Sequence, residues 1–238
     1  MRHSALLSHP PLSEPLLYED ARMLILGDSI GEAGRGQAIY NLARYNGTSL
    51  EADPVLFDTP TWADSPQYGQ VLKLTLADTE SLQFATSLMS GLDEGEVIIL
   101  AKLTSASAVP IFTNLDVASD RTNVFLFTAA SASTALTFRT DDNTTDENVF
   151  VNSAFSFGSW HLFGVSFGPL GKAIYVDGIS KVSSSGKTAS SGTTTDNYAI
   201  GEHKLGYSGI ELALFCVTEK QKGDWWHRAV WNEVNRAA

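Results

Sequence analysis

Short runs of apolar residues alternate with clusters of turn-forming residues along most of the chain. The segment QVLKLTLA (70–77) alternates apolar and polar positions with the two-residue period of a half-buried β-strand. In KAIYVDGISKV (172–182), Asp-Gly separates two β-branched runs, which is a strong signal for a β-hairpin. Further strand-like runs lie at 96–103, 123–129, 135–140, 148–155, 160–167, 198–205 and 209–217. The pattern predicts many short strands.

Two of these runs also indicate which side chains face the core. In WHLFGVSF (160–167), successive side chains alternate between the two faces of a strand, and the better core candidates are His161, Phe163, Val165 and Phe167. The run at 210–217 is apolar on both faces. Such a strand is expected to be covered by a sheet on one side and by a helix on the other.

A helical period is found at the end of the chain. Trp226, Val230 and Val234 recur at i, i+4 and i+8, and Gly223 with Asp224 makes a suitable helix start in which Asp224 takes the N-cap role. Many short strands followed by one helix predict an all-β sandwich with a short C-terminal helix.

The N-terminal segment differs from the rest. Residues 1–20 contain prolines and show no periodicity, which predicts an extended arm, and residues 21–238 are expected to form one sandwich domain. The leucines of the arm are more apolar than a solvated tail requires, so it is a candidate for docking on another copy of the chain as a homo-oligomer. Packing on its own domain is the alternative.

Composition restricts the partners. The formal net charge of −11 argues against binding to nucleic acid or to an anionic membrane surface. Cys216 is the only cysteine, so an intrachain disulfide is not possible. No apolar run is long enough to cross a bilayer, and the first residues lack the apolar core of a secretory signal.

A short motif near the start of the chain is typical of an enzyme. In MLILGDSIGEAG (23–34), an apolar run leads into Gly-Asp-Ser, which is how GDSL-type esterases present a nucleophilic serine, here Ser29. Asp224 and His227 have the D-x-x-H spacing that those esterases use for the other triad members. However, the chain has no G-x-N-D block for the oxyanion hole, and strands occupy the positions where an α/β esterase needs helices. We therefore expect no esterase activity.

A longer resemblance runs through residues 22–236. SFGSWHLFGVSFGPLGKAIYVDGISKV (156–182) resembles the central block of laminin G-like domains, which belong to the concanavalin A-like lectin/glucanase superfamily. The segment 198–233, with its Ile-Gly pair and its short helix, is similar to the closing block of that family, and NGT, PTW and YG upstream are similar to its opening block. The resemblance implies a jelly roll of two antiparallel sheets, with MLILGDSI in the first strand.

The resemblance also guides the choice between catalysis and binding. The glucanases of the superfamily carry E-x-D-x-x-E on one strand, which places their catalytic carboxylates on one face. This chain lacks that run, and its acidic string LDEGE (92–96) has a different spacing. We therefore expect a non-catalytic protein.

Two sets of residues are candidates for sites. Asp141, Asp142 and Asp146 lie close together in one predicted loop and supply hard oxygen ligands, so they are candidate ligands for Ca²⁺. No other cofactor is expected. Solvated hairpin turns have similar composition. Aromatic candidates for a binding surface are Trp225, which lies off the apolar stripe of the helix, together with Tyr207 and Trp62.

Three functions remain open after these considerations. The first is a decoration or attachment protein of a bacteriophage virion, which such domains without disulfides resemble, with other virion proteins or a surface glycan as partners. The second is a carbohydrate-binding module of a bacterial protein, located outside the cell or at its surface. The third is the GDSL-like esterase with Ser29, Asp224 and His227.

Overall fold

The computed structural model describes residues 17, 20–26, 39, 43, 51–75, 79–104, 109–114, 125–130, 134–142, 144–194, 196–203 and 206–237. Within them the regular structure is mostly β-strand, with a short 3-10 helix at Thr86–Leu88 and an α-helix, α1, at Asp224–Ala237. The strands are β1 (Ala21–Leu26), β2 (Val55–Phe57), β3 (Thr61–Ser65), β4 (Gly69–Leu74), β5 (Ser81–Phe84), β6 (Gly95–Leu103), β7 (Val109–Asn114), β8 (Phe125–Ala130), β9 (Ala135–Asp141), β10 (Asp146–Val151), β11 (Trp160–Phe167), β12 (Lys172–Val176), β13 (Ile179–Ser184), β14 (Tyr198–Ile200), β15 (Glu202–His203), β16 (Gly206–Tyr207) and β17 (Ile210–Thr218).

The strands form two large antiparallel sheets and one small hairpin. The eight-stranded sheet has the order β13-β12-β11-β6-β17-β4-β3, and β1 pairs with β17 beside this path. The seven-stranded sheet has the order β10-β9-β8-β7-β14-β5-β2, and β15 pairs with β16. The predicted two-sheet antiparallel sandwich with a C-terminal helix is therefore confirmed.

An inner core fills the space between the two sheets. Phe84 and Phe112 of the seven-stranded sheet lie 4.8 and 5.1 Å, between ring centroids, from Phe215 of the eight-stranded sheet. Phe125 contacts Phe167 in the same way at 5.9 Å. These distances suit edge-to-face and tilted ring packing, which stabilises a core beyond the area that it buries.

The eight-stranded sheet is also covered on its outer side. Trp226, Val230 and Val234 of α1 are buried against Leu214 and Cys216 of β17 in an outer cluster. The inner side of β17 meanwhile faces the inner core through Leu212, Phe215 and Val217. The prediction that both faces of 210–217 are covered is confirmed.

The hairpin predicted at 172–182 forms between β12 and β13. Its two turn residues, Asp177 and Gly178, have φ angles of 54° and 73°, which are the left-handed values that a two-residue hairpin turn requires. A Cβ at Gly178 would lie 2.8 Å from Cβ of Trp231, so glycine is also needed for the helix to approach the turn.

The predicted arm falls mostly outside the described residues. Of its twenty positions the structure describes Leu17 and Asp20. Leu17 is fully buried in the outer cluster, and its carbonyl oxygen accepts a hydrogen bond from Sγ of Cys216 at 3.7 Å. The end of the arm therefore packs on its own domain, while its docking on a second copy stays a prediction. No described helix has the length and apolar character of a membrane span.

Candidate functional site

The outer face of the seven-stranded sheet carries polar side chains at its β10 edge. In β9 and β10, Phe138 and Val149 point into the inner core, so the residues that alternate with them point outward. Asn148 lies opposite Arg139, and Phe150 lies opposite Thr137. We call this set the polar strip; it consists of Thr137, Arg139, Asp141, Asp146, Asn148 and Phe150.

One aromatic residue interrupts the polar character of the strip. Phe150 is 50% exposed although it follows Asp146 and Asn148 on the same face of β10. An exposed ring in a row of polar side chains offers an apolar surface beside hydrogen-bonding groups. This combination suits a ligand that has both apolar and polar faces.

An ion-pair network organises the charges of the strip. Arg139 donates from Nε and Nη2 to the two carboxylate oxygens of Asp146 at 2.6 and 2.9 Å, and from Nη2 to Asp141 at 3.4 Å. The paired donation to Asp146 has the two-point geometry that fixes a guanidinium in place. The Asp146 side chain nevertheless keeps 56% of its surface exposed, so it remains accessible to a ligand.

Strand β10, which carries half of the strip, is also bonded on its inward side. Glu147, on the inward side of β10, accepts hydrogen bonds from Nζ of Lys172 and from the backbone N–H of Ala189, each at 2.7 Å. Burial lowers the pKa of Lys172. Burial acts to raise the pKa of Glu147, but its bonds from Lys172 and Ala189 outweigh that effect and lower it. This pair helps to fix an edge strand whose backbone is paired with one neighbouring strand, β9.

The predicted calcium ligands have other partners in the structure. Asp141 and Asp146 are bonded to Arg139, and Oδ1 of Asp142 accepts hydrogen bonds from N and Oγ1 of Thr144 and from N of Thr145. The bonds from Thr144 lower the pKa of Asp142. No group of three or more potential metal-ligating side chains is found in the described part of the chain. Calcium binding stays a prediction, and it requires these carboxylates to exchange their present partners for the ion.

The three predicted binding aromatics do not form one site. Trp225 is 61% exposed on the first turn of α1, as expected for a residue off the buried stripe. Trp62 is half-buried and packs against the inner core at the edge of the other sheet. Tyr207 lies in β16, and its side chain is outside the described residues. Asp141 and Asp146 of the polar strip were predicted from the sequence only as calcium ligands, and its other four residues were not predicted as site residues.

The two described residues of the predicted esterase triad do not interact as a triad. Asp224 accepts a hydrogen bond from the Tyr175 hydroxyl at 2.9 Å. His227 is 1% exposed, and its Nε2 faces Oε2 of Glu96 without the alignment of a hydrogen bond. The Tyr175 ring stacks on the imidazole with centroids 3.6 Å apart. Ser29 lies outside the described residues.

The helix start also differs in detail from the prediction. The carbonyl oxygen of Gly223 accepts the N–H groups of Trp226 and His227, so Gly223 takes the N-cap position and Asp224 is the first helical residue. A negative charge there still interacts favourably with the helix dipole. A Cβ at Gly164 would lie 2.5 Å from the His227 ring, so this strand position must be glycine for the histidine to be buried.

A different histidine lies between a serine and an aspartate. Nδ1 of His161 is 2.9 Å from Oδ2 of Asp177, and Nε2 accepts the backbone N–H of Ser156 at 3.2 Å. Because a backbone N–H can only donate, Nε2 is the acceptor and Nδ1 carries the proton. The Ser156 hydroxyl is also 3.2 Å from Nε2, but that nitrogen is already engaged by the backbone. The arrangement ties the loop after β10 to the turn after β12, and we assign it this structural role.

We expect the purified protein to show no turnover of short acyl nitrophenyl esters. His227 is buried beneath Tyr175 and faces Glu96, so it cannot reach a substrate bound at the surface. The assay compares the wild-type protein with Ser29→Ala, and an authentic serine esterase serves as positive control. Turnover that is lost in Ser29→Ala would overturn this expectation.

Comparisons with known proteins identify the fold. No protein-family model matches the chain, and no curated protein matches it in sequence. Domain 4 of AbnA, a GH43 extracellular arabinanase from Geobacillus stearothermophilus, solved in complex with arabinotriose, is similar to it with a TM-score of 0.59 and 12% identity over 88% of this chain and 97% of that one.

Binding domains of two toxins are also similar in fold to this chain, again at low sequence identity. The botulinum neurotoxin serotype D ligand binding domain, solved in complex with N-acetylneuraminic acid, has a TM-score of 0.63 and 10% identity over 96% of this chain and 52% of that chain. The binding domain of Paraclostridial Mosquitocidal Protein 1 has a TM-score of 0.60 and 11% identity over 92% of this chain and 53% of its own length. The chain thus spans about half of these toxin domains. The jelly-roll sandwich implied by the laminin G resemblance is shared with binding domains, and membership of the laminin G family stays a prediction.

Proposed function

We propose that this chain is a non-catalytic glycan-binding domain and that the polar strip is its binding surface. The observation that carries the proposal is the exposed Phe150 ring in one row with Asn148 and Asp146. A sugar ring has an apolar face of C–H groups and a rim of hydroxyl groups. Phe150 can pack against the first, while the amide and carboxylate beside it can bond to the second.

The fold comparisons support this function independently of the strip. Two of the similar structures contain a sugar: arabinotriose in the arabinanase domain and N-acetylneuraminic acid in the toxin domain. Sequence identity to both is low, so the likeness supports the class of ligand and not its identity. The absence of a carboxylate pair with glucanase spacing in the sequence agrees with binding without catalysis.

We expect Phe150→Ala to weaken binding to an oligosaccharide retained by the wild-type protein by at least about tenfold, which corresponds to about 1.4 kcal/mol. The readout is retention on an oligosaccharide array that includes arabinotriose, followed by titration calorimetry of any retained sugar. Because half of the ring is exposed, the substitution should change the melting temperature little.

A matched control is present on the same sheet. Phe57 is 47% exposed on β2, at the opposite edge, six strands and about 29 Å from β10. Phe57→Ala removes an equally exposed ring and should leave binding unchanged. Equal binding by wild type and Phe150→Ala, or no binding to any sugar on the array, would refute the proposal.

A narrower proposal concerns where the domain works. Domains of this kind without disulfides resemble modules of bacteriophage structural proteins, so we propose display on a virion, as a decoration or attachment protein whose partners are virion proteins or a surface glycan. A carbohydrate-binding module of a bacterial protein, outside the cell or at its surface, is the alternative. Both use the same binding chemistry, and co-sedimentation with virions would support the first.

A further inference from the structure

The charges of the polar strip point to the class of glycan that it accepts. Arg139 is bonded to Asp141 and Asp146. Two carboxylates therefore contact one guanidinium, in a chain whose formal net charge is −11.

A second cation lies nearby but is engaged elsewhere. Nζ of Lys187 donates to the backbone carbonyl of Asn148, at the main chain of the edge strand. Within the strip itself, Arg139 is paired with both Asp141 and Asp146, which gives one positive and two negative groups. An incoming acidic group would thus meet excess negative charge and an arginine whose charge is already compensated.

We propose that the strip binds uncharged glycans and rejects acidic ones, because Asp141 and Asp146 neutralise the one strip cation that would otherwise bind a sugar acid. This inference rests on the proposed function of the same face. Arginine is the side chain best suited to bind a carboxylate ligand with two parallel hydrogen bonds. Here Nε and Nη2 of Arg139 already donate to Asp146. Neutral hydroxyl groups, in contrast, can donate to the exposed carboxylate of Asp146 without displacing the arginine.

The experiment compares neutral and acidic sugars on matched proteins. Lactose and arabinotriose are the neutral probes, and 3′-sialyllactose and N-acetylneuraminic acid are the acidic probes, each titrated at low and at physiological salt. The wild-type protein is expected to bind a neutral probe with an affinity that is nearly independent of salt, and to bind the acidic probes at least about fivefold more weakly. A single like charge at about 4 Å in water accounts for a difference of that size.

The decisive variant is Asp141→Asn/Asp146→Asn, which keeps the shape of both side chains and removes both carboxylates. It should bind 3′-sialyllactose more tightly than the wild-type protein does, and this gain should disappear at high salt. Asp146→Asn alone is a milder test, because this side chain is mostly exposed while Asp141 is buried. Asp64→Asn, on an exposed position of β3 in the other sheet, removes one charge without touching the strip and should change nothing.

The outcomes separate the two proposals. If the wild-type protein binds 3′-sialyllactose as well as lactose and loses both with Phe150→Ala, the strip binds glycans but the charge argument is wrong. If no probe binds and the protein is retained by no sugar on the oligosaccharide array, the proposed function fails and this inference fails with it. If neutral sugars bind and the double variant gains no acidic sugar, the carboxylates are not what excludes it.

Discussion

Replacing Trp226 by alanine is expected to lower the free energy of unfolding by about 3–5 kcal/mol. The indole is 1% exposed in the outer cluster, where it packs with Val230 and Val234 against the eight-stranded sheet. Its ring also meets His227 edge-on, with centroids 5.3 Å apart. Truncation would leave a cavity beneath α1 that the rigid sheet cannot close. For a chain of this size, such a loss corresponds to a fall in melting temperature of roughly 6–20 °C.

The adjacent residue supplies the control. Trp225 has the same side chain on the same turn of α1 but is 61% exposed, so Trp225→Ala should change stability by no more than about 0.5 kcal/mol. Thermal unfolding followed by circular dichroism measures both variants under identical conditions. Equal and small effects would show that the helix does not pack on the sheet as described.

Removing Glu96 is the second change for which a large loss of stability is expected. Glu96→Ala should cost about 3–5 kcal/mol, because it removes one member of a buried ionisable pair and leaves the other without its partner. Oε2 of Glu96 faces His227, and Oε1 accepts the N–H groups of Lys222 and Gly223 just before α1. The substitution therefore disturbs both the buried imidazole and the backbone that leads into the helix.

Two comparisons separate these contributions. Glu96→Gln keeps an oxygen for the two backbone N–H groups and replaces only the oxygen that faces His227, so it should cost less than Glu96→Ala. In Glu96→Ala/His227→Ala the loss should be smaller than the sum of the single losses, as expected for residues in direct contact. Urea unfolding of the wild-type protein, Glu96→Ala, His227→Ala and the double variant gives the coupling energy. Additive single losses would mean that the two side chains are energetically independent.

A nearby exposed pair serves as the matched control for burial. Glu94 accepts the backbone N–H of Gln221 and pairs with Lys220 at 3.1 Å, in the same loop as the Glu96 contacts. The bond from Gln221 lowers the pKa of Glu94. Because solvent screens an exposed pair, Glu94→Ala should cost far less than Glu96→Ala.

Local sequence patterns predicted the parts of the fold that depend on neighbours along the chain. The alternation in β11 identified Phe163 and Val165 as core residues, and both are in the inner core. β7 was missed because Pro110 interrupts its run VPIFTN. The structure accommodates this proline at an irregularity of register between Pro110 and Phe112, and such irregularities are where a sheet tolerates proline.

The candidate site was less predictable because it depends on pairing between strands. Arg139 and Asn148 are nine positions apart in sequence, and only the register of β9 with β10 makes them neighbours. One local signal was present: Phe150 occupies a position that the alternation of Asp146 and Asn148 assigns to the polar face. The buried pair of Glu96 and His227 had no such signal, since its members are separated by most of the chain and meet only when α1 docks.

The position of β17 has a consequence for how the chain is made. This strand lies between β6 and β4 in the eight-stranded sheet and also pairs with β1, where Ala21 is opposite Thr218. While the chain emerges from a ribosome, β1, β3 and β4 are synthesised early, but they have no strand to join them to β6 until residue 218 has appeared. Pairing over such a separation is intrinsically slow and leaves apolar edges open in the meantime. The nascent chain should therefore keep the edges of β1, β4 and β6 unpaired until β17 has been synthesised.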